Sequence, residues 1–185
     1  MNPIEYVPKY LTEVQGLPEV PTAWKGLEKI IPDIIQRFHL NTELAVEFGV
    51  FYGYSTAALA SNFKKVVGID TFQGDAMAGV DPYMLGKTRA ALAPWQNIEL
   101  VQSTWEEFAS KAVPQADMIH IDIFHTYNDT YCCGLWAMDY APCILFHDTQ
   151  SYPEVMRAVT DLAEISGRAF YNYPHCYGLG ILVNL

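Results

Sequence analysis

The sequence predicts a doubly wound α/β domain, a mixed and mostly parallel sheet with helices on both faces. Three observations carry that expectation. Short apolar runs alternate with helix-period segments five times along the chain. The runs are continuously apolar, as in strands buried on both faces. The last two runs are joined by a linker too short for a parallel crossover, so the last-threaded strand runs antiparallel.

Residues 1 to about 21 carry four prolines and no clear period, and read as an extended arm. "TAWKGLEKIIPDIIQRFHL" spaces Trp24, Leu27, Ile30, Ile31, Ile34, Ile35 and Phe38 as a helix, which Pro32 either divides in two or kinks. "LAVEFG" then reads as a strand, "STAALASNF" as a helix and "KVVGID" as a second strand. "PYMLGKTRAALA" is helical, "NIELVQS" a third strand and "TWEEFASK" a short helix. "ADMIHID" is a fourth strand, followed by a helix over "YNDTYCCGLWAMDY" and a fifth strand, "CILFHD". "PEVMRAVTDLAEIS" is an amphipathic helix, and "RAFYNY" with "YGLGILVNL" closes the chain as a hairpin. The organisation is an N-terminal arm and helix over residues 1–40 and a ligand-binding domain over 41–185.

At 185 residues the chain suits one domain with a full core, and its 51% hydrophobic and 17% charged composition is that of a globular protein. A formal net charge of −10 disfavours nucleic acid, since no basic surplus displaces counterions from a phosphate backbone. No apolar run is long enough to span a membrane, and the N-terminus lacks a basic-then-apolar signal pattern. Cys132, Cys133, Cys143 and Cys176 form no C-x-x-C pair and sit in apolar segments, which reads as buried thiols in a reducing, cytoplasmic setting. The oligomeric state, a homo-oligomer included, is left open.

"VEFGVFYGYS" lies at the carboxyl end of the first domain strand, where ligands of such sheets bind. Gly49 permits a close backbone approach, Gly53 starts the helix at the turn, and Ser55 follows in its first residues. Glu47 offers a carboxylate for a cationic amine, directly or through water. The spacing E-x-G-x-x-x-G-x-S, with Phe51, Tyr52 and Tyr54 between and after the glycines, differs from the G-x-G-x-x-G of dinucleotide sites. Asp70 ends the second strand about twenty residues beyond the first glycine, where a carboxylate can accept both ribose hydroxyls. An amine, a close turn and a ribose together describe S-adenosylmethionine.

A second constellation ends the fourth and fifth strands. Asp122 and Asp148 share the sheet edge beside the turn, with His120, His125 and His147 near them. Two carboxylates and an imidazole can hold a hard divalent cation, or position and deprotonate a substrate hydroxyl. His120, mid-strand, reads as a core or supporting histidine. Neither adjacent thiol has a basic neighbour, and Ser55 lacks a nucleophile elbow.

These residues resemble those of class I S-adenosylmethionine-dependent methyltransferases, in particular the small ones related to macrolide-sugar O-methyltransferases and the cephalosporin-hydroxylase group. "VEFGVFYGYST" resembles their first motif, "GIDTFQGD" their second, and "HIDIFHTYNDTYCCGLWAMDYAPCILFHDT" their most specific block, over about residues 42 to 185. The resemblance implies a Rossmann-like seven-stranded mixed sheet with its last strand antiparallel. It places Glu47, Gly49 and Gly53 around the methionine moiety, Asp70 on the ribose, and Ser103 and Trp105 near the adenine. In metal-dependent relatives a magnesium ion is held by acids matching Asp122 and Asp148, with the third position here His147. The chain departs from D-x-D sugar O-methyltransferases at Phe124, and "APC" replaces a glycine pair before the fifth strand. The base then falls to His125 or His147. The expected activity is O-methylation of a small polar acceptor, with substrate choice in the arm and the loops 71–95 and 123–128. The rivals are a nicotinamide-dependent oxidoreductase, which lacks its glycine fingerprint here, and a non-catalytic nucleoside-binding or partner protein on the same fold.

Overall fold

The computed structural model describes residues 2–75, 79–111 and 113–184. Residues 76–78, part of the loop on which substrate choice was expected to depend, lie outside them. A two-residue strand β1 (Ile4–Glu5) precedes a 3-10 turn (Leu27–Lys29) and helix α1 (Ile31–Arg37). Next come β2 (Leu44–Phe48), α2 (Tyr54–Ala60), β3 (Lys65–Asp70) and a small ribbon, β4 (Gly74–Asp75) and β5 (Gly79–Val80). The chain continues through α3 (Met84–Leu92), β6 (Ile98–Gln102), α4 (Trp105–Ala109), β7 (Met118–Ile121) and α5 (Tyr127–Ala137). It ends with β8 (Cys143–His147), α6 (Pro153–Ser166), β9 (Ala169–Tyr173) and β10 (Leu179–Val183).

Among the described residues, eight strands form one sheet in the order β1-β9-β10-β8-β7-β2-β3-β6. β10 pairs antiparallel with both β8 and β9, and the other pairs are parallel. The seven expected strands are all present. β1 adds an eighth at the edge, and its two residues in a proline-rich arm leave no period to read. The β4–β5 ribbon is equally short and was not foreseen. Pro32 lies in the first turn of α1. Its missing N–H has no helical partner to lose there, so the segment is a 3-10 turn followed by one helix instead of a kinked one.

Side chains alternate strictly between two apolar layers. Ala45, Val66, Met118, Cys143 and Leu145 face a core shared with α1, α2 and the arm residues Tyr6 and Trp24. Val46, Val67, Ile119, Ile144 and Phe146 face the other core, with residues of α5 and α6. Residues before and after position 40 therefore share one core. The arm is fastened by Tyr6, whose N–H donates to the Asn172 carbonyl at 2.8 Å and whose hydroxyl donates to Asp33 at 2.5 Å. Strand β7 pairs with β2 on the side opposite β3. The winding reverses there, and a crevice opens at the carboxyl ends of β2 and β7.

The cysteines are free, and they are not uniformly buried as expected: Cys133 and Cys143 are buried, Cys132 is exposed and Cys176 lies between. The helix α5 turns Cys132 outward while its neighbour enters the core. Burial pushes the Cys143 thiol up to about 12 and raises Cys133 well above its usual value. In a native-state titration with a disulfide reagent, Cys132 is expected to react first and Cys176 more slowly. Cys133 and Cys143 should react only on unfolding. Rapid reaction of all the thiols in the folded protein would contradict this packing.

Candidate active site

A cavity of about 440 Å³ opens at the crevice. Its walls come from the β2–α2 turn, the ends of β3, β7 and β8, the start of α4, and Pro21–Trp24 of the arm. Gly49, Gly53's neighbours Tyr52 and Tyr54, Ser55, Asp70, Ser103 and Trp105 all meet there, as do Asp122, His125, His147 and Asp148.

The turn is built from its backbone. Gly49 has φ 89°, and a Cβ there would stand 1.7 Å from the Asp122 carbonyl oxygen. Gly53 has φ 90°, and a Cβ would meet the Leu92 side chain at 2.7 Å. Both glycines are thus required by left-handed backbone and close protein packing. Asp70 ties the turn down: its Oδ2 accepts from the Val50 and Phe51 N–H groups at 2.8 Å each, and its Oδ1 from Phe72 N–H at 2.7 Å. A carboxylate has about four acceptor positions, which leaves Asp70 one for a ligand hydroxyl. Ser103 donates its N–H to the Asp70 carbonyl at 3.0 Å and lies next to Thr104, which caps α4.

Glu47 is fully buried, away from the cavity lining. One of its oxygens accepts from the Thr56 hydroxyl, and Oε1 meets His120 Nδ1 at 2.9 Å. The Trp24 indole N–H donates to His120 Nε2 at 3.2 Å, so the imidazole proton lies on Nδ1 and points at Glu47. The arm is thereby linked to the β2–α2 turn through Trp24, His120, Glu47 and Thr56. Trp24 and its neighbours Pro21–Ala23, part of the arm on which substrate choice was expected to depend, are among the cavity residues not named individually from the sequence. Trp24 was legible only as one apolar position among seven at helical spacing.

The second cluster is compact. His125 Nε2 lies 2.8 Å from Asp148 Oδ2 and 3.6 Å from Asp122 Oδ1. His147 Nδ1 lies 3.2 Å from Asp122 Oδ2 and 3.4 Å from Asp148 Oδ2. Neither ring nitrogen meets a carboxylate at hydrogen-bonding angles, despite these distances. One ligand atom each from Asp122, His125 and Asp148 falls within a 4.8 Å group, a spacing that can hold a cation. Asp148 has φ 64°, a left-handed backbone uncommon outside glycine and frequent at functional sites.

Burial opposes charge on both histidines, and the pull of Asp122 and Asp148 overcomes it, pushing His125 up to about 9 and His147 up to about 10. Burial likewise opposes the carboxylates, but the histidines hold Asp122 and Asp148 below their ordinary range. Raised histidines stabilise the fold fully below their ordinary value of 6.5, and that contribution is lost as pH rises through 9 and 10. Lowered aspartates stabilise it above their ordinary 3.8 and lose this as pH falls. In chelator, thermal unfolding is therefore expected to peak between about pH 4 and 6.5 and to decline steadily toward pH 10. A melting temperature still rising above pH 8 would contradict the pairing.

A methyltransferase-domain family profile matches residues 46–149, more than half of the chain and the whole stretch from the glycine turn to the end of β8. The chain belongs to that family. It is an S-adenosylmethionine-dependent methyltransferase. Solved structures share the methyltransferase's fold at low identity. A candidate O-methyltransferase from Klebsiella pneumoniae is 19% identical with a TM-score of 0.61, covering 92% of this chain and 84% of its own. An O-methyltransferase from Bacillus cereus, solved with S-adenosylhomocysteine, is 15% identical with a TM-score of 0.59, covering 91% and 84%. The N-methyltransferase NodS from Bradyrhizobium japonicum is 13% identical with a TM-score of 0.56, covering 86% and 96%. No curated protein matches the chain at a significant level. Among the described residues of the methyltransferase, no helix is long and apolar enough to cross a membrane.

Proposed function

We propose that this methyltransferase transfers the methyl group of S-adenosylmethionine to a hydroxyl oxygen of a small polar acceptor, and that His125 receives the hydroxyl proton. The observation that carries the reading is the placement of His125, between Asp148 at 2.8 Å and Asp122 at 3.6 Å, in the same cavity as the glycine turn and Asp70. A sulfonium methyl needs no activation by acid, so the protein's work is to align the acceptor, exclude water and take a proton. The acceptor oxygen forms the new C–O bond as the C–S bond breaks, S-adenosylhomocysteine leaves as a neutral thioether, and the proton moves to the unprotonated form of His125. That form is the minor one at neutral pH because, against burial, Asp122 and Asp148 push its value up to about 9.

Tyr152 stacks on the His125 ring at 4.1 Å and 8° and holds its plane toward the cavity. Phe124 occupies the position at which D-x-D relatives place their base, and its phenyl ring, which carries no proton acceptor, cannot serve. Turn and Asp70 support the cofactor end, with Ser103 and Trp105 lining the cavity beyond it. Asp122 and Asp148, the two carboxylates of the grouped ligand atoms, would hold a divalent cation, which when bound would lower the acceptor hydroxyl's pKa. The resemblance to sugar O-methyltransferases and the O-methyltransferases among the solved neighbours support oxygen as acceptor atom.

The test is transfer from S-adenosylmethionine carrying a ¹³C methyl group, with parallel panels of hydroxyl and amine acceptors and product analysis by NMR. Label on oxygen is expected, with His125→Ala reducing turnover by roughly 10²–10⁴-fold while S-adenosylhomocysteine binding persists. Label found only on nitrogen or carbon would overturn the reading, as would full turnover by His125→Ala.

A further inference from the structure

The cavity has a preferred sign of charge. Five carboxylates line it, those of Asp70, Glu106, Asp122, Asp129 and Asp148, and its basic groups are the imidazoles of His125 and His147. All 11 lysines and arginines of the sequence lie among the described residues, and none of them lines the cavity. Lys29, Lys64, Lys65 and Lys87 are each ion-paired at 2.7 Å to acids outside it, and Arg168 donates to the Met138 and Ala141 carbonyls. We infer that the acceptor carries a positively charged amine beside the hydroxyl that is methylated, and no anionic group. The inference rests on the proposed reading of the same cavity and names the class of compound that reading would take.

The imidazoles do not reverse the balance. His125 and His147 each stand within 3.6 Å of both Asp122 and Asp148, so two protonated rings and two carboxylates offset one another. Asp70, Glu106 and Asp129 remain, and none of these has a basic partner among the described residues. S-adenosylmethionine adds a sulfonium and an ammonium against one carboxylate, a single net positive charge, so the loaded cavity stays negative. Glu106 and Asp129 lie in the first turns of α4 and α5, which pack against each other, so they hold one side of the cavity. An acid in the first turn offsets the pull that a helix start exerts on anions. The walls include the apolar side chains of Phe48, Ile69, Trp105 and Ile123, and between such walls water screens the field poorly.

An anionic acceptor would enter against that field with no lysine or arginine to receive it. An amine enters with it, and Phe124, which lines the cavity at 61% exposure, adds an aromatic ring at the mouth. The same carboxylates favour the charged form of the amine. A protonated nitrogen has no lone pair to attack the methyl group, so the oxygen takes it. That oxygen has a donor of its own. The side chain of His147 is 1% exposed, its Nε2 meets the Cys176 carbonyl at 3.2 Å, and its Nδ1 has no hydrogen-bond partner. A charged ring donates from both nitrogens, which leaves the Nδ1 proton for the acceptor oxygen.

The experiment is a ligand-observed NMR titration of the full chain, saturated with S-adenosylhomocysteine in chelator, with three phenols of one frame. Tyramine ends in an ammonium, tyrosol in a hydroxyl and para-hydroxyphenylacetate in a carboxylate. Tyramine is expected to bind at least ~10-fold tighter than the carboxylate, with tyrosol between them, and the ratio is expected to fall from about 50 to 500 mM salt. The double variant Glu106→Gln, Asp129→Asn is expected to bring tyramine and the carboxylate within about threefold of each other. Equal or tighter binding of the carboxylate to wild-type protein would overturn the inference. So would failure of tyramine to bind, or an unchanged ratio in a double variant with native circular dichroism. Turnover with labelled S-adenosylmethionine reports separately on the functional reading. Label on the tyramine nitrogen would count against that reading, whereas equal binding of the three phenols counts against the charge preference alone.

Discussion

Gly49→Ala is expected to lower the unfolding free energy by about 3–5 kcal/mol, because its added methyl group would meet the shortest contact of any described glycine. The added carbon would stand 1.7 Å from the Asp122 carbonyl oxygen, and 2.6 Å from the carbonyl carbon. Both are backbone atoms at the end of β7, with no rotamer through which to escape. The φ of 89° adds strain for any residue with a Cβ. Relief requires β2 and β7 to separate at their carboxyl ends, where the Asp122 N–H donates to Phe48 at 2.8 Å. Gly53→Ala is expected to cost less, about 1–3 kcal/mol, because its clash is with the movable Leu92 side chain. Urea unfolding of the two variants gives the comparison, and a Gly49→Ala protein within 1 kcal/mol of wild type would show the two strand ends are not in contact.

Asp70→Ala is expected to weaken S-adenosylhomocysteine binding at least ~100-fold, because hydrogen bonds to a charged group contribute about 1.5–3 kcal/mol each. The substitution removes the acceptor of Val50, Phe51 and Phe72 N–H at once, and these groups shape the turn itself. Asp70→Asn should fall between, since its amide keeps one oxygen for the turn and directs an NH₂ toward the remaining donors. Calorimetry on variants with native circular dichroism measures both. Unchanged affinity in Asp70→Ala would remove the residue from the cofactor site.

Much of this was legible because period and spacing are local properties. Continuous apolar runs announced β2, β3, β7 and β8, and Pro153 with the spaced Val155, Val159 and Leu162 announced α6. Of the residues named at strand ends, Asp70, Asp122, His147 and Asp148 line one cavity while Glu47 does not. The parallel winding puts those ends on one edge but does not say which side chains stay free. What was not legible is which groups saturate one another. Glu47 read as a free carboxylate, yet Thr56 and His120 occupy it. The glycines read as room for a ligand, yet Asp122 and Leu92 already fill the space a side chain would take. Cys176, read only as a thiol, contributes its carbonyl to His147. Each of these depends on a partner at least nine positions away, and no local pattern encodes it.

The wall formed by Pro21–Trp24 comes from upstream of the stretch 46–149 that matches the family profile. The glycine turn and one of the surfaces facing it thus lie on different stretches of the chain, only one of which the family profile matches. Replacing the upstream segment would change the outline of the cavity while leaving the matched stretch's own sequence intact. One condition limits such grafts. Trp24 supplies the hydrogen bond to His120 Nε2, so an incoming segment must bring another donor to that buried nitrogen or leave a polar atom stranded beneath the turn.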